Sequence, residues 1–230
     1  LGHLFASRAK EIPFPESDNL FVAADIYEWK IDDELAICAY YLGRYHESFD
    51  RCNRLLEVPS IPEAERERIL GNRDFAVSQF QEETLAYPGE IVRQLAAEFA
   101  HGSRAQVNVT LSITSCKRFD LFEKTVNSFL NCCADIDLID RWICIDDGSN
   151  DADRVQMSQR YPFFEFIFKT GEDKGHARSM NRLLDTITSP FWLHLEDDWH
   201  FIIRDRYIGK ALAVFGDDAT IGEVLFNRNY

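Results

Sequence analysis

The pattern of hydrophobicity after residue 106 limits the fold of this chain more than any other feature. Short apolar segments alternate there with amphipathic ones. Strands are predicted near residues 107–114, 142–145, 163–169, 191–195 and 221–226, and helices near residues 121–132, 151–160, 176–186 and 206–215. Strands that alternate with helices form a mostly parallel sheet with helices on its faces. We therefore expect an α/β domain over residues 106–230.

The first 105 residues have helical spacing instead. Apolar residues recur at helical intervals near residues 1–12, 25–42, 46–57, 62–80 and 90–99. The region resembles a tetratricopeptide repeat (TPR) at Leu35-Ala36, Gly43, Tyr45, Ser48 and Pro59. Only about one repeat is legible, and fewer than about three stacked units bury little core. We expect residues 1–105 to form a TPR-like helical domain that packs on the next domain or continues earlier repeats, with a protein partner as one use of it.

The charge balance excludes several classes of partner. A net charge of -14 argues against nonspecific binding to nucleic acid or to an anionic membrane surface. No apolar run is long enough to span a bilayer, and no signal peptide is visible at the start. Since the chain begins at Leu1 and stops just after a predicted strand, we expect a fragment of a longer protein, from which a targeting signal could have been lost.

The cysteines indicate a reducing compartment. None of the six forms a C-x-x-C pair with the spacing of metal ligands. Free thiols are favoured over a disulfide framework, and we expect a cytoplasmic protein.

Three consecutive acids, Glu196-Asp197-Asp198, directly follow the predicted strand at residues 191–195. Carboxylates at the end of a buried strand repel one another and lose hydration, so they usually need a compensating cation. Hard oxygen ligands of this kind suit Mg²⁺ or Mn²⁺. The alternative is a solvated turn, but the apolar and aromatic residues on both sides leave little exposed loop.

Two further polar turns follow the first two predicted strands. Thr114 and Ser115 could hold a base or phosphate through their hydroxyls, and Arg118 adds positive charge. Asp146 or Asp147 could accept a hydrogen bond from a uracil ring or a ribose hydroxyl. The alternatives are an ordinary helix start for the first turn and a helix cap for the second.

A third polar turn opens the helix predicted at residues 176–186. Gly175 would permit close approach to the helix start, whose N–H groups favour an anion, and Arg178 could face a diphosphate. The alternative is a loop with a surface arginine. Because ligands of parallel sheets bind outside the carboxyl ends of the strands, these turns together predict one binding site.

In order and spacing, the four motifs resemble the nucleotide-sugar glycosyltransferases of the GT-A (Rossmann-like) fold. The likeness covers residues 106–226 and is greatest to the large inverting group, family 2-like, with a Thr/Ser–x–x–Arg turn after the first strand. It implies that Thr114 and Asp146 or Asp147 contact the nucleoside and that Arg178 lies near the diphosphate. Residues 196–198 would stand in for the D-x-D motif of the family.

The resemblance also implies a cofactor and a reaction. It places Mn²⁺ or Mg²⁺ on Asp198, with Glu196 and Asp197 near the sugar. The expected activity is metal-dependent transfer from a UDP-sugar to a glycan, lipid or protein acceptor. The catalytic base of the family lies well downstream of the acids, so we expect it beyond residue 230 and name none.

Two alternative functions are also compatible with the sequence. One is a TPR-type scaffold that binds a protein partner and carries a degenerate GT-A domain. The other is a nucleotidyltransferase, which shares the fold type and the metal chemistry. Such enzymes usually carry a glycine-rich basic loop after the first strand, and residues 114–119 contain no glycine.

Overall fold

A computed structural model describes residues 1–16, 22–101 and 109–226, which fall into two compact units, Leu1–Glu83 and Thr84–Phe226. This division precedes the boundary expected at residues 105 and 106. The difference is the last helix before the sheet, α5 (Gly89–His101), whose Val92 and Leu95 belong to the same apolar core as the strands.

The first unit is built from helices. They are α1 (Gly2–Lys10), a π-helical turn (Ile26–Lys30) that continues into α2 (Ile31–Tyr41), α3 (Tyr45–Leu56) and α4 (Glu63–Thr84), whose last residue belongs to the second unit. Small side chains are buried on the paired helices α2 and α3, where Ala36 and Ser48 are each 1% exposed. The absence of bulk at these positions lets the two helices approach closely.

The second unit contains a parallel sheet, as the alternating pattern predicts. After α5 its elements are β1 (Val109–Ser115), α6 (Phe119–Cys132), β2 (Ile139–Asp146), α7 (Asp151–Arg160), β3 (Glu165–Phe168), α8 (His176–Thr186), β4 (Phe191–Glu196) and α9 (Tyr207–Asp217). The strand order is β3-β2-β1-β4, and every pair is parallel. The predicted α/β class is therefore confirmed for the described part of this unit.

The two faces of the sheet differ in polarity. One face packs the larger apolar core, to which β1 contributes Val109, Leu111 and Ile113. On the other face, Ile143 and Ile145 of β2 pack against Leu183 of α8. Beside them, β1 presents a row of buried or half-buried polar side chains on this second face: Thr110, Ser112 and Thr114.

The prediction of a strand at residues 221–226 is wrong. This segment has no regular secondary structure, and Leu225 is 78% exposed. An apolar run becomes a strand only when a neighbour accepts its hydrogen bonds, and β4 pairs with β1 alone among the described strands. The first two residues of the first predicted strand, 107 and 108, lie outside the described residues.

None of the helices within residues 1–16, 22–101 and 109–226 combines the length and hydropathy needed to cross a lipid bilayer.

Candidate functional site

The strand order creates a crevice at one edge of the sheet. From β1 the chain proceeds to β2 and β3 on one side, then returns to place β4 on the other side. The connections on either side of β1 therefore diverge, and ligands of open α/β sheets bind at such a switch point. In register, Thr114 of β1 lies beside Glu196 of β4, and Ser115 lies beside Asp146 of β2. Three of the predicted turns thus meet at this edge.

A cleft of about 110 Å³ opens at the crevice. Its lining residues come from the ends of three strands and the first turn of α8: Thr114, Ser115, Cys116, Arg118, Asp147, His176, Ser179, Glu196 and Asp197. Small-molecule sites usually measure about 300–1,000 Å³, so a nucleotide bound here would extend over the neighbouring loops. Of the predicted site residues, four do not line the cleft: Asp146, Gly175, Arg178 and Asp198.

Asp146 holds the turn after β2 together. Its carboxylate is fully buried and accepts hydrogen bonds from the N–H and hydroxyl of Ser149. Arg154 of α7 neutralises it through an ion pair of 2.8 Å. With its oxygens engaged in this way, Asp146 is a structural residue, and of the two adjacent acids it is Asp147 that faces the cleft.

Asp147 ties the end of β2 to the start of α8. Its Oδ2 accepts a 2.8 Å hydrogen bond from the N–H of Gly175, and its own N–H donates to the carbonyl of Ser115. Gly175 has φ +120°, which side chains with a Cβ rarely adopt. Gly175 therefore shapes the cleft through its backbone, although it does not line it.

A buried lysine, which the sequence motifs did not single out, supports this junction. Lys169 directly follows β3, and its Nζ donates to the carbonyl of Gly175 at 3.0 Å and to the Ser179 hydroxyl at 2.8 Å. The same Nζ lies 3.4 Å from Asp147 Oδ1. Lysine is almost never fully buried unless it is paired. Because Lys169 directly follows an apolar strand and acidic turns are close in sequence, its burial could have been predicted.

The three consecutive acids have different surroundings. Asp197 is 1% exposed, accepts a 3.2 Å hydrogen bond from the Cys116 N–H, and forms an ion pair with Arg118. Burial raises the pKa of the Asp197 carboxyl, against the opposing influence of the Cys116 N–H and Arg118. For this acid, the compensating cation demanded by the sequence argument is the arginine of the chain itself.

The two flanking acids are open to solvent. Glu196 is exposed, and the Asp198 side chain is 47% exposed, with its Oδ2 3.6 Å from Arg118 Nη1. Residues 196 and 198 are therefore the acids of the triplet that a ligand in water can reach.

Arg178, predicted to face a diphosphate, points elsewhere. Its side chain is exposed and donates to the backbone carbonyl of Glu172 in the loop before α8. The residue of the first turn of α8 that reaches the cleft is His176, together with buried Ser179.

The acids at residues 196–198 suit an open metal site that a ligand completes, and not a closed site made of protein side chains alone. Within the part of the chain that the structure describes, no three His, Cys, Asp or Glu side chains are grouped to hold a metal ion. A closed protein cage is therefore a poor fit. Mg²⁺ and Mn²⁺ are commonly held by one or two carboxylates together with substrate phosphates. Asp198 and Glu196 fit that open arrangement.

Comparison with known proteins gives no family. No protein-family model matches the chain, and no curated protein matches it. Functional inference consequently rests on the chemistry of the sheet edge.

Proposed function

We propose that the second unit is the nucleotide-binding half of a GT-A-type glycosyltransferase that uses a UDP-sugar as donor. The observation that carries the proposal is the composition of the switch point. Hydroxyls of Thr114 and Ser115 lie at the end of β1, and the acids of residues 196–198 lie at the end of adjacent β4. The ligand best suited to this pairing has hydrogen-bonding groups at one end and a metal-bridged anion at the other.

Asp147 and Thr114 are the residues proposed to recognise the nucleoside. The Asp147 carboxylate lines the cleft and has lone pairs left beyond the bond from Gly175. It can therefore accept from a uracil N–H or a ribose hydroxyl. Asp146, bound to Arg154, keeps the turn in place but does not take this role.

Asp198, with Glu196, is proposed to hold Mn²⁺ or Mg²⁺ together with the donor diphosphate. A cation there would screen the repulsion between phosphates and acids and stabilise the diphosphate as a leaving group. Arg118 forms its close ion pair with buried Asp197 and lies 3.6 Å from Asp198, whose exposed carboxylate can still reach a ligand. Inverting transfer to a glycan, lipid or protein acceptor also requires a carboxylate base, and we assign none.

For the first unit we propose TPR-like packing of α2 and α3. Its support is the burial of Ala36 and Ser48 between helices joined by a short turn at Gly43. If this unit made the chain a scaffold with a degenerate α/β domain, nucleotide and metal would have no effect on the protein. Titration of the chain with nucleotide and metal therefore separates the glycosyltransferase from the scaffold.

The test is calorimetric titration of the 230-residue chain with UDP in the presence and absence of Mn²⁺. We expect Mn²⁺ to strengthen binding, and Asp198→Ala to weaken Mn²⁺-dependent binding by at least about tenfold, because it removes a direct ligand. Asp185→Ala is the charge-matched control, since Asp185 is exposed near the C-terminal end of α8, whereas the first turn of that helix lines the cleft. Equal UDP affinity in wild type and Asp198→Ala would refute the metal assignment.

A further inference from the structure

Two lysines from different loops meet above the turn after β2. Lys117 lies between β1 and α6, and Lys174 immediately precedes Gly175. A Cβ placed on Gly148 would lie 3.1 Å from Lys174 Cε and 3.9 Å from Lys117 Cε, so both side chains cross the same small area. Both lysines are exposed, and neither ammonium group has an ion pair or hydrogen bond among the described residues.

The local backbone holds this pair together. Lys117 has φ +57°, an uncommon conformation for a residue with a side chain, and its N–H donates to the Ser149 hydroxyl at 3.1 Å. Gly148 has φ +92°, and its lack of a Cβ leaves the space over which the lysines lie. Unfavourable backbone conformations of this kind are retained where the surrounding structure demands them, often at ligand sites.

The other cations at this edge are already engaged. Arg118 pairs with Asp197 and Asp198, and Arg178 binds the carbonyl of Glu172. Lys169 is buried beneath the junction of Asp147 and Gly175. Among the described residues of this edge, Lys117 and Lys174 are thus the cations left for a ligand.

An anion is the partner that this arrangement favours. Two cationic side chains that lie over the same glycine repel each other, and an anion bound between them removes the repulsion. A chain with a net charge of -14 repels anions in general, so local positive charge is needed wherever one binds. Lysine suits phosphate as a compact point charge with three donors.

We propose that Lys117 and Lys174 form a phosphate clamp that binds the phosphates of a nucleoside diphosphate. The nucleoside part of this ligand rests on the proposed function, whereas the phosphate part rests on the lysine pair alone. The clamp takes the role that the sequence resemblance gave to Arg178.

The experiment compares wild type, Lys117→Gln, Lys174→Gln and the double variant in titrations with UDP, uridine and inorganic pyrophosphate. Each is run in EDTA and again with Mn²⁺. A hydrogen bond to a charged group is worth enough that each Lys→Gln substitution should lower the affinity for UDP and for pyrophosphate by roughly tenfold. The affinity for uridine, which has no phosphate, should not change. Lys124→Gln is the control, since Lys124 is exposed on α6 and is not one of the side chains that lie over Gly148.

Each outcome decides between the two proposals. UDP affinity that survives in the double variant but falls in Asp198→Ala would overturn the clamp and leave the proposed function standing. Lysine-dependent binding of pyrophosphate with no preference for UDP would support the clamp and count against the nucleotide function. Wild type that binds neither ligand would overturn both. Recovery of affinity in Lys117→Arg/Lys174→Arg would confirm that positive charge, rather than local structure, is the determinant.

Discussion

Adjacent acids at this sheet edge have opposite physical roles. Asp146 is buried against Arg154 while Asp147 faces the cleft, and Asp197 is buried against Arg118 while Asp198 is half-exposed. Of these four acids only Asp146 belongs to a strand, so ion pairs with arginines distant in sequence, and not strand alternation, decide which carboxylates are buried. The composition of a motif therefore does not say which of its carboxylates reaches a ligand.

Asp197 gives a prediction about pH. Burial raises its pKa above the ordinary value of 3.8, so ionisation of this carboxyl opposes folding. The stabilisation of the folded state by the protonated Asp197 carboxyl is complete below that ordinary pKa. It is lost as the pH rises through the raised pKa of the folded state. Asp197→Asn keeps an acceptor for the Cys116 N–H and leaves Arg118, 45% exposed, in contact with water. We expect it to be more stable than wild type at neutral pH.

Thermal unfolding of both proteins across the acid range, without divalent metal, measures this effect. The stability difference between Asp197→Asn and wild type should shrink as the pH falls toward the ordinary value for aspartate. Asp185→Asn is the charge-matched control. A difference that does not change with pH would contradict the argument.

At the scale of elements, β1 shows how a polar strand face can be buried. Strands in which apolar and polar residues alternate commonly have one solvent-exposed face, yet Thr110 and Ser112 of β1 are buried. Ser189, just before β4, donates to Thr110 Oγ1 at 2.8 Å. Side chains of β4 satisfy Ser112, whose Oγ is hydrogen-bonded to His194 Nδ1 at 2.8 Å and accepts from Trp192 Nε1 at 2.7 Å. Burial lowers the pKa of His194 to about 4, so this imidazole is neutral at physiological pH.

Ser112→Ala should therefore destabilise the second unit. The substitution leaves the half-buried Trp192 indole N–H and His194 ring without the buried hydroxyl that both now bond. We expect the free energy of unfolding to fall by roughly 2–3 kcal/mol, from the desolvation of two polar groups. Urea denaturation measures it, with Ser158→Ala as control because the Ser158 hydroxyl bonds only a carbonyl of its own helix. Equal midpoints for Ser112→Ala and wild type would show that the shared bond contributes nothing.

At the scale of the whole molecule, the net charge of -14 sets which partners can approach. Nucleic acids bind proteins chiefly by releasing counterions from phosphates neutralised by lysine and arginine, and this chain has a large excess of acids. The lysine pair over Gly148 is local, and two cations do not offset the acidic excess of the whole chain.

We consequently expect no nonspecific binding to DNA. Fluorescence anisotropy of a labelled duplex, titrated with the chain at low ionic strength, should remain at the value of free DNA. A basic DNA-binding protein in the same buffer is the positive control. Micromolar affinity that weakens as salt is added would contradict the charge argument.

Sequence pattern alone located nearly all the elements of the second unit, because burial against a core imposes a period of two on strands and 3.6 on helices. It failed at residues 221–226, where apolar character is present but no neighbouring strand is. It also placed α5 with the preceding helices, since helical spacing does not reveal which core a helix joins. The assignment of these elements to a family stays a prediction.

The sequence by itself determined the α/β class of the second unit, the helical character of the first, and the gathering of polar turns at the carboxyl ends of strands. These follow from local periodicity and from the direction of parallel strands. Only the tertiary structure decided which side chains are available there. It paired Arg118 with Asp197 and turned Arg178 toward Glu172. It also buried Lys169 and brought Lys117 and Lys174 together over Gly148. Ion pairs and close approaches form between loops distant in sequence, and no local pattern encodes them.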